Sequence, residues 1–361
     1  MKWKVPFVNF PAQYQKIKPE IDGAIQDCLE RGAFILQKEV EEFEKTLAEF
    51  VGTKYAIGVN CGTDALFFSL LAAGIGQGDE VITVSEAYIA PISKIIHAGA
   101  TPVLVDVKDD LLMDMDEAEK AISSKTKAIL PVHMAGAICD MERLLLIAKK
   151  HNLIVIEDAC QALGAKQNNK MAGSFGLTGC FSFYPAKILG AYGDAGAVVT
   201  NDEKIANEIR VLRDGGRKNK LEIVRHGYNS LLDNIQAAIL NVKFKYLPEW
   251  IERRKEIAKM YNEGLKNIPG LKLPQSQTYQ DYILRAPRRD ELAKFLEEKG
   301  VEVLVRETIP NHLQKDLGLS YCKLPNTERF AREKIRLPIV PELTNKQVEY
   351  VIERIKKFYG A

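Results

Sequence analysis

Two stretches of the chain each end an apolar run on side chains that can handle a charged small molecule. In Asn60-Cys61-Gly62-Thr63-Asp64-Ala65-Leu66 a strand-like run gives way to a helical pattern. Unpaired N–H groups and the positive end of the helix dipole meet at such a junction, so its backbone can bind a phosphate. Gly62 permits close approach and Thr63 adds a hydroxyl; the plainer reading is an ordinary helix start with Thr63 or Asp64 near the N-cap. The second stretch, Leu153-Ile154-Val155-Ile156-Glu157-Asp158, is an apolar strand ending in acid. Facing a cationic nitrogen at about 4 Å and an effective dielectric near 20, Asp158 would contribute roughly 4 kcal/mol. At about 1.4 kcal/mol per pKa unit, that raises a ring nitrogen by about three units and keeps a pyridine protonated. A capping or salt-bridged aspartate fits the stretch equally well when it is taken alone.

Gly179-Cys180-Phe181-Ser182-Phe183-Tyr184-Pro185-Ala186-Lys187 places a small hydroxyl, Ser182, five residues before a lysine. Burial lowers a lysine pKa, and the neutral amine attacks aldehydes. Most lysines are solvated surface groups; Lys187 stands out because it follows an apolar strand and precedes a glycine-rich stretch. Tyr88, just beyond the run Val81–Ser85, can stack on a flat ring or simply pack in the core.

The elements that must position these residues alternate. Strands are expected at Lys54–Asn60, Val81–Ser85, Pro102–Val107, Ala128–His133, Leu153–Asp158, Cys180–Tyr184 and Ala197–Thr200, with helices such as Asp64–Ala73, Asp116–Ser123 and Met141–His151 between them. This pattern predicts an α/β fold with a mostly parallel seven-stranded sheet covered by helices, whose ligands bind at the carboxyl ends of the strands. From Asp233 to about Leu265 the chain reads as one or two long helices, with Pro248 a kink or break. Beyond lie expected strands at Tyr279–Arg285 and Val301–Arg306 and helices at Arg289–Lys299 and Thr344–Phe358, a smaller C-terminal α/β domain. The division adopted is 1–243 for the large ligand-binding domain and 244–361 for the small one. Gly74–Asp79 precedes a strand instead of opening a helix, the wrong context for a dinucleotide fingerprint, and is expected to be a turn. Gly190, Gly193 and Gly196 are expected to form a flexible loop after Lys187.

Bulk properties narrow the function. The 361 residues include 46% hydrophobic and 27% charged side chains, ordinary for a globular protein with a real core. A formal net charge of +2 gives no general attraction to nucleic acid or to an anionic membrane. Met1–Phe10 has no apolar stretch of the kind a signal peptide needs, and Ala65–Gly76 is too short to span a bilayer, so a cytoplasmic location is expected. The six cysteines form no C-x-x-C pair and the five histidines no H-E-x-x-H, so buried reduced thiols and no metal site are expected.

Taken together, G-T-D-A-L (62–66), P-V-H-M-A-G (131–136), V-I-E-D-A-C-Q-A-L-G-A (155–165), the stretch 173–187 ending F-S-F-Y-P-A-K, G-D-A-G-A-V-V-T-N-D (193–202), R-D-G-G-R (213–217) and G-Y-N-S-L-L-D-N-I-Q-A-A-I-L (227–240) resemble the DegT/DnrJ family over nearly the whole chain. That family comprises aminotransferases of the aspartate-aminotransferase fold that use pyridoxal 5′-phosphate (PLP) and act on keto sugars, usually nucleotide-linked. The resemblance implies that Lys187 forms the Schiff base with the cofactor aldehyde and Asp158 pairs with its pyridine nitrogen. Gln161 would lie near the phenolic oxygen and Tyr88 would stack on the ring. Gly62, Thr63 and Ser182 would hold the phosphate, with Asp64 also among the cofactor-binding residues. Asn229 would reach the phosphate in the neighbouring subunit, making the active unit a homodimer with shared sites. Glutamate is the implied amino donor and a keto sugar the acceptor, with Tyr184, Arg306 and His312 the expected substrate contacts.

Two departures bear on the acceptor. Leu231 stands where the family usually has Arg, and Val305-Arg306-Glu307-Thr308-Ile309-Pro310 replaces an H-Y-P-like stretch. The losses leave open a keto sugar without a nucleotide, with Arg306, His312 or the basic stretch Arg217–Arg225 compensating. Relatives with His in place of the lysine are sugar dehydratases, which Lys187 argues against. A PLP-binding regulatory or sensor protein without turnover is the alternative from another class.

Overall fold

The computed structural model describes residues 3–360; Met1 and Lys2, part of the stretch read as lacking a signal peptide, and Ala361 lie outside them. All seven expected strands form one sheet. They are β1 (Tyr55–Val59), β2 (Glu80–Val84), β3 (Thr101–Val105), β4 (Thr126–Ile129), β5 (Ile154–Asp158), β8 (Thr178–Ser182) and β9 (Gly196–Thr200), with a two-residue hairpin, β6 (Lys166–Gln167) and β7 (Lys170–Met171), between β5 and β8. The order is β1-β9-β8-β5-β4-β2-β3. The pairs from β8 to β3 are parallel, and only β9 runs against its neighbours. Strands buried on both faces read as continuous apolar runs, which is why these were legible.

Two helices unmarked in the sequence reading, Phe10–Arg31 and Lys38–Val51, precede the sheet. The long helical region resolves into Asn234–Phe244 and Leu247–Leu265. Pro248 lies in the first turn of the second, where its missing N–H costs no hydrogen bond, so it starts a helix instead of kinking one. Along Leu247–Leu265 the core changes hands. Leu247 and Ile251 pack into the cluster around the sheet, while Ile257, Ala258, Tyr261 and Leu265 pack into a second cluster with Tyr282, Leu296, Ile335 and Val351.

The second cluster departs from expectation in one element. Val301–Arg306 makes only single bridges, Val301 to Val5 and Leu304 to Arg336. The antiparallel partner of β10 (Tyr282–Arg285) is instead β11 (Lys334–Leu337). Its Lys-Ile-Arg-Leu sequence hides a buried strand because both cations are paired from elsewhere: Lys334 with Glu86, Arg336 with Asp281 and Glu307.

The Lys334–Glu86 pair joins the two cores, together with a helix cap supplied by the other core. Leu324 gives the helix Pro325–Glu333 no side-chain cap. Asp106, just after β3, accepts from Asn326 N–H (2.8 Å) and Thr327 N–H (3.0 Å) in its place.

Candidate functional site

The carboxyl ends of β5 and β8 lie side by side, Asp158 opposite Cys180, while Ser182 at the end of β8 faces Gly196 at the start of β9. The helix Gly62–Ala72 starts beside them. Its N-cap, Cys61, makes no side-chain capping bond, so the capped start with Thr63 or Asp64 is not what forms. Gly62 abuts the end of β8 so closely that a Cβ there would stand 2.7 Å from Ser182 Cβ and 2.8 Å from Cys160 Sγ. The first and third chemical stretches thus meet, and an uncapped helix N-terminus lies against a hydroxyl. Asp64 accepts from Ser230 Oγ (2.7 Å), which ties the segment carrying Asn229 to this turn; Asn229 itself is exposed.

Asp158 is 7% exposed, and among the described residues its carboxylate takes one hydrogen bond, from Cys160 N–H (3.1 Å). Burial pushes its pKa up, against that bond and the nearby positive charge of Lys187. The adjacent Glu157 serves a different end. Fully buried, it accepts from the N–H groups of Gly173 (2.8 Å), Phe175 (2.6 Å) and Gly176 (2.7 Å), which fastens the 173–176 turn to β5. His133 completes this arrangement: Cys139 N–H donates to Nδ1 (3.2 Å), leaving the ring hydrogen on Nε2 to face Glu157 (3.0 Å). Burial also pushes the Cys160 thiol well above its ordinary value, so it stays a neutral wall group.

Lys187 is half-buried in a closed turn, its N–H donating to Tyr184 O (2.8 Å). The glycine-rich stretch that follows is pinned, not the flexible loop expected. Ala191 N–H returns to Phe183 O (2.8 Å), and Gly190 packs so tightly that a Cβ would lie 2.3 Å from Pro185 O. Lys243, 1% exposed, donates to Gly190 O (2.7 Å) and lies over the Tyr192 ring (4.1 Å). Burial pulls its pKa down to about 8. Nothing local in the sequence marks Lys243, whose partner is a backbone carbonyl 53 residues away.

The other expected residues are placed unevenly. Gln161 Oε1 accepts from Ala135 N–H (3.2 Å). Tyr88 and Tyr184 are 67% and 55% exposed, each just past a strand end. Arg306 is exposed. His312 is fully buried: its ring faces Ser85 Oγ (2.9 Å) and Glu328 Oε1 (3.5 Å). Among the described residues no helix is long and apolar enough to cross a membrane, and no group of three metal-ligating side chains is gathered.

Compared with known proteins, residues 15–356 match the DegT/DnrJ/EryC1/StrS aminotransferase family model. The chain is 42% identical to a pleiotropic regulatory protein of Geobacillus stearothermophilus, over 98% of both chains. It is 39% identical to a dTDP-3-amino-3,4,6-trideoxy-alpha-D-glucose transaminase of Streptomyces venezuelae, over 98% of this chain and 96% of that one. The solved structure of S. venezuelae DesV in complex with a ketimine intermediate superposes with a TM-score of 0.95 at 39% identity, covering 99% of each chain. Other solved relatives are captured in PLP or pyridoxamine phosphate forms.

Proposed function

The chain belongs to the DegT/DnrJ/EryC1/StrS aminotransferase family and is a PLP-dependent aminotransferase; from that premise we propose that it moves an amino group from glutamate to a nucleotide-linked keto sugar, making an amino sugar. One observation carries the reading: an uncapped helix start packed on Ser182, beside a buried carboxylate on the adjoining strand end and a half-buried lysine in the turn after Ser182. Relatives named as dTDP- and UDP-sugar transaminases support the acceptor class.

These residues fit the cofactor. A side chain at Gly62 would collide with Ser182 and Cys160, so only glycine lets the helix start lie against the end of β8, where the phosphate would meet the N–H groups of Gly62 and Thr63 and the Ser182 hydroxyl. Asp158 would hold the proton on the pyridine nitrogen, Tyr88 would cover the ring face and Gln161 would lie by the phenolic oxygen. When bound, PLP supplies an electron sink for the bond broken at the donor carbon. Lys187 would hold the cofactor aldehyde and, once displaced by the donor, its Nζ would carry a proton off the donor carbon as general base. Tyr184 and Arg306 would face the acceptor.

The reading extends to a homodimer with shared sites. Phe34, Ile35 and Leu36 are 48%, 47% and 37% exposed, and they are tied to the segment following Asn229 through Asn234 N–H to Phe34 O (2.9 Å). A second copy would cover this apolar edge and receive Asn229 at its phosphate. The division into domains 1–243 and 244–361 and a cytoplasmic location belong to the same proposal; the core change along Leu247–Leu265 supports the first.

The relative named as a regulatory protein favours a second reading, PLP binding without turnover. Glutamate added to the PLP-loaded protein separates the two. The aminotransferase converts the cofactor to its pyridoxamine form and releases 2-oxoglutarate, and a panel of nucleotide-linked and free keto sugars then restores the original spectrum with the true acceptor. A bound cofactor that glutamate leaves unchanged would favour the binder.

A further inference from the structure

Gln280, two residues before β10, is 8% exposed, and its polar groups reach three parts of the molecule. Its side-chain Oε1 accepts from Ile188 N–H (2.9 Å) and its Nε2 donates to Ala186 O (3.0 Å). Those are the residues on either side of Lys187. Its backbone N–H donates to Ala135 O (3.2 Å), and Ala135, in the left-handed region at φ 55°, donates in turn to Gln161. Its carbonyl accepts from Arg254 (3.1 Å), which also donates to Tyr279 O (3.0 Å).

Arg254 is 4% exposed, and burial pulls its pKa down to about 10. Desolvating a guanidinium is costly, and the hydrogen bonds of this one go to the backbone that carries Gln280. The glutamine is therefore held from behind while its amide grips the lysine turn.

We infer that Gln280 is a positioning residue for Lys187, fixing the two peptide planes that set where Nζ stands relative to Asp158. The inference rests on the reading of Lys187 as the cofactor lysine. The grip needs a donor and an acceptor on one side chain of this length. Glutamate lacks the donor, asparagine is one methylene short, and methionine fills the same space with neither. Because the grip comes from the second core, the small domain takes part in aiming a residue of the large one.

The test adds PLP to apoenzyme and follows the visible band of the lysine-linked cofactor for the wild type, Gln280→Met and Gln280→Ala. Borohydride reduction and peptide mass spectrometry then locate the link, and the pH midpoint of the band and the melting temperature are read in parallel. Loss of both hydrogen bonds is expected to slow link formation about fivefold or more in both variants, with a shifted pH midpoint and, in Gln280→Met, a melting temperature near that of the wild type. A Gln280→Met protein that links at the wild-type rate with an unchanged midpoint overturns the inference, whatever its melting temperature. A wild-type label on a lysine other than Lys187 overturns the reading of Lys187 instead.

Discussion

Asp158, Ser182 and Lys187 stand on strand ends and a closed turn whose surroundings are buried, whereas Tyr184, Arg306 and the Arg217–Arg225 stretch stand on loops in solvent. Around Ser182 and Lys187, close contacts leave little room for a substitution: Gly62 against Ser182, Gly190 against Pro185, Gln280 around Lys187. On the proposed acceptor side, Tyr184 and Arg306 are exposed while His312 is buried, and Leu231 is half-buried where the family usually has an arginine. The difference separates two jobs. On the proposed reading, reaction type would be set by geometry that must hold to fractions of an ångström, while substrate choice would sit on loops that can change without disturbing it.

Substitutions on the two sides should therefore differ in kind. Asp158→Asn keeps an oxygen to accept from Cys160 N–H but removes the charge. Turnover should fall about 10²- to 10³-fold, in line with about three lost pKa units at the ring nitrogen, while the fold melts as before; steady-state kinetics with glutamate checks this. Gly62→Ala should weaken cofactor binding about tenfold or more, because overpacking costs about 1–3 kcal/mol; titration of the apoenzyme with PLP measures it.

Mixing Lys187→Ala and Asn229→Ala proteins probes the sharing of sites. Half the random dimers are mixed and each has one intact site, so activity should return to about a quarter of the wild type. No recovery would mean that each Asn229 serves its own chain. Arg306→Ala should have the smallest effect, raising KM for the keto sugar about two- to fivefold with kcat unchanged, as expected for an exposed cation contributing up to about 1 kcal/mol. A large fall in kcat there would erase the distinction between the two sides.

The strands of the sheet were legible because they are short apolar runs, and Asp158, Ser182 and Lys187 because each ends or follows one. Strand β11 was not, since its buried Lys334 and Arg336 look solvated until Glu86, Asp281 and Glu307 arrive from distant segments. Gln280, Lys243 and Arg254 escaped for the same reason: their partners are mainly backbone atoms, some far along the chain, and no local pattern marks a side chain that grips a peptide group. His312 shows the converse, a residue type suggestive of chemistry that the fold buries against Ser85.

Lys187 is proposed both to hold the cofactor and to move the proton. A single-turnover measurement with glutamate, comparing the wild type with Lys187→Ala reconstituted to equal cofactor content, tests it most directly. Conversion to the pyridoxamine form is expected to slow by about 10³-fold or more, within the range for removing a general base. Conversion at a rate close to that of the wild type would contradict it.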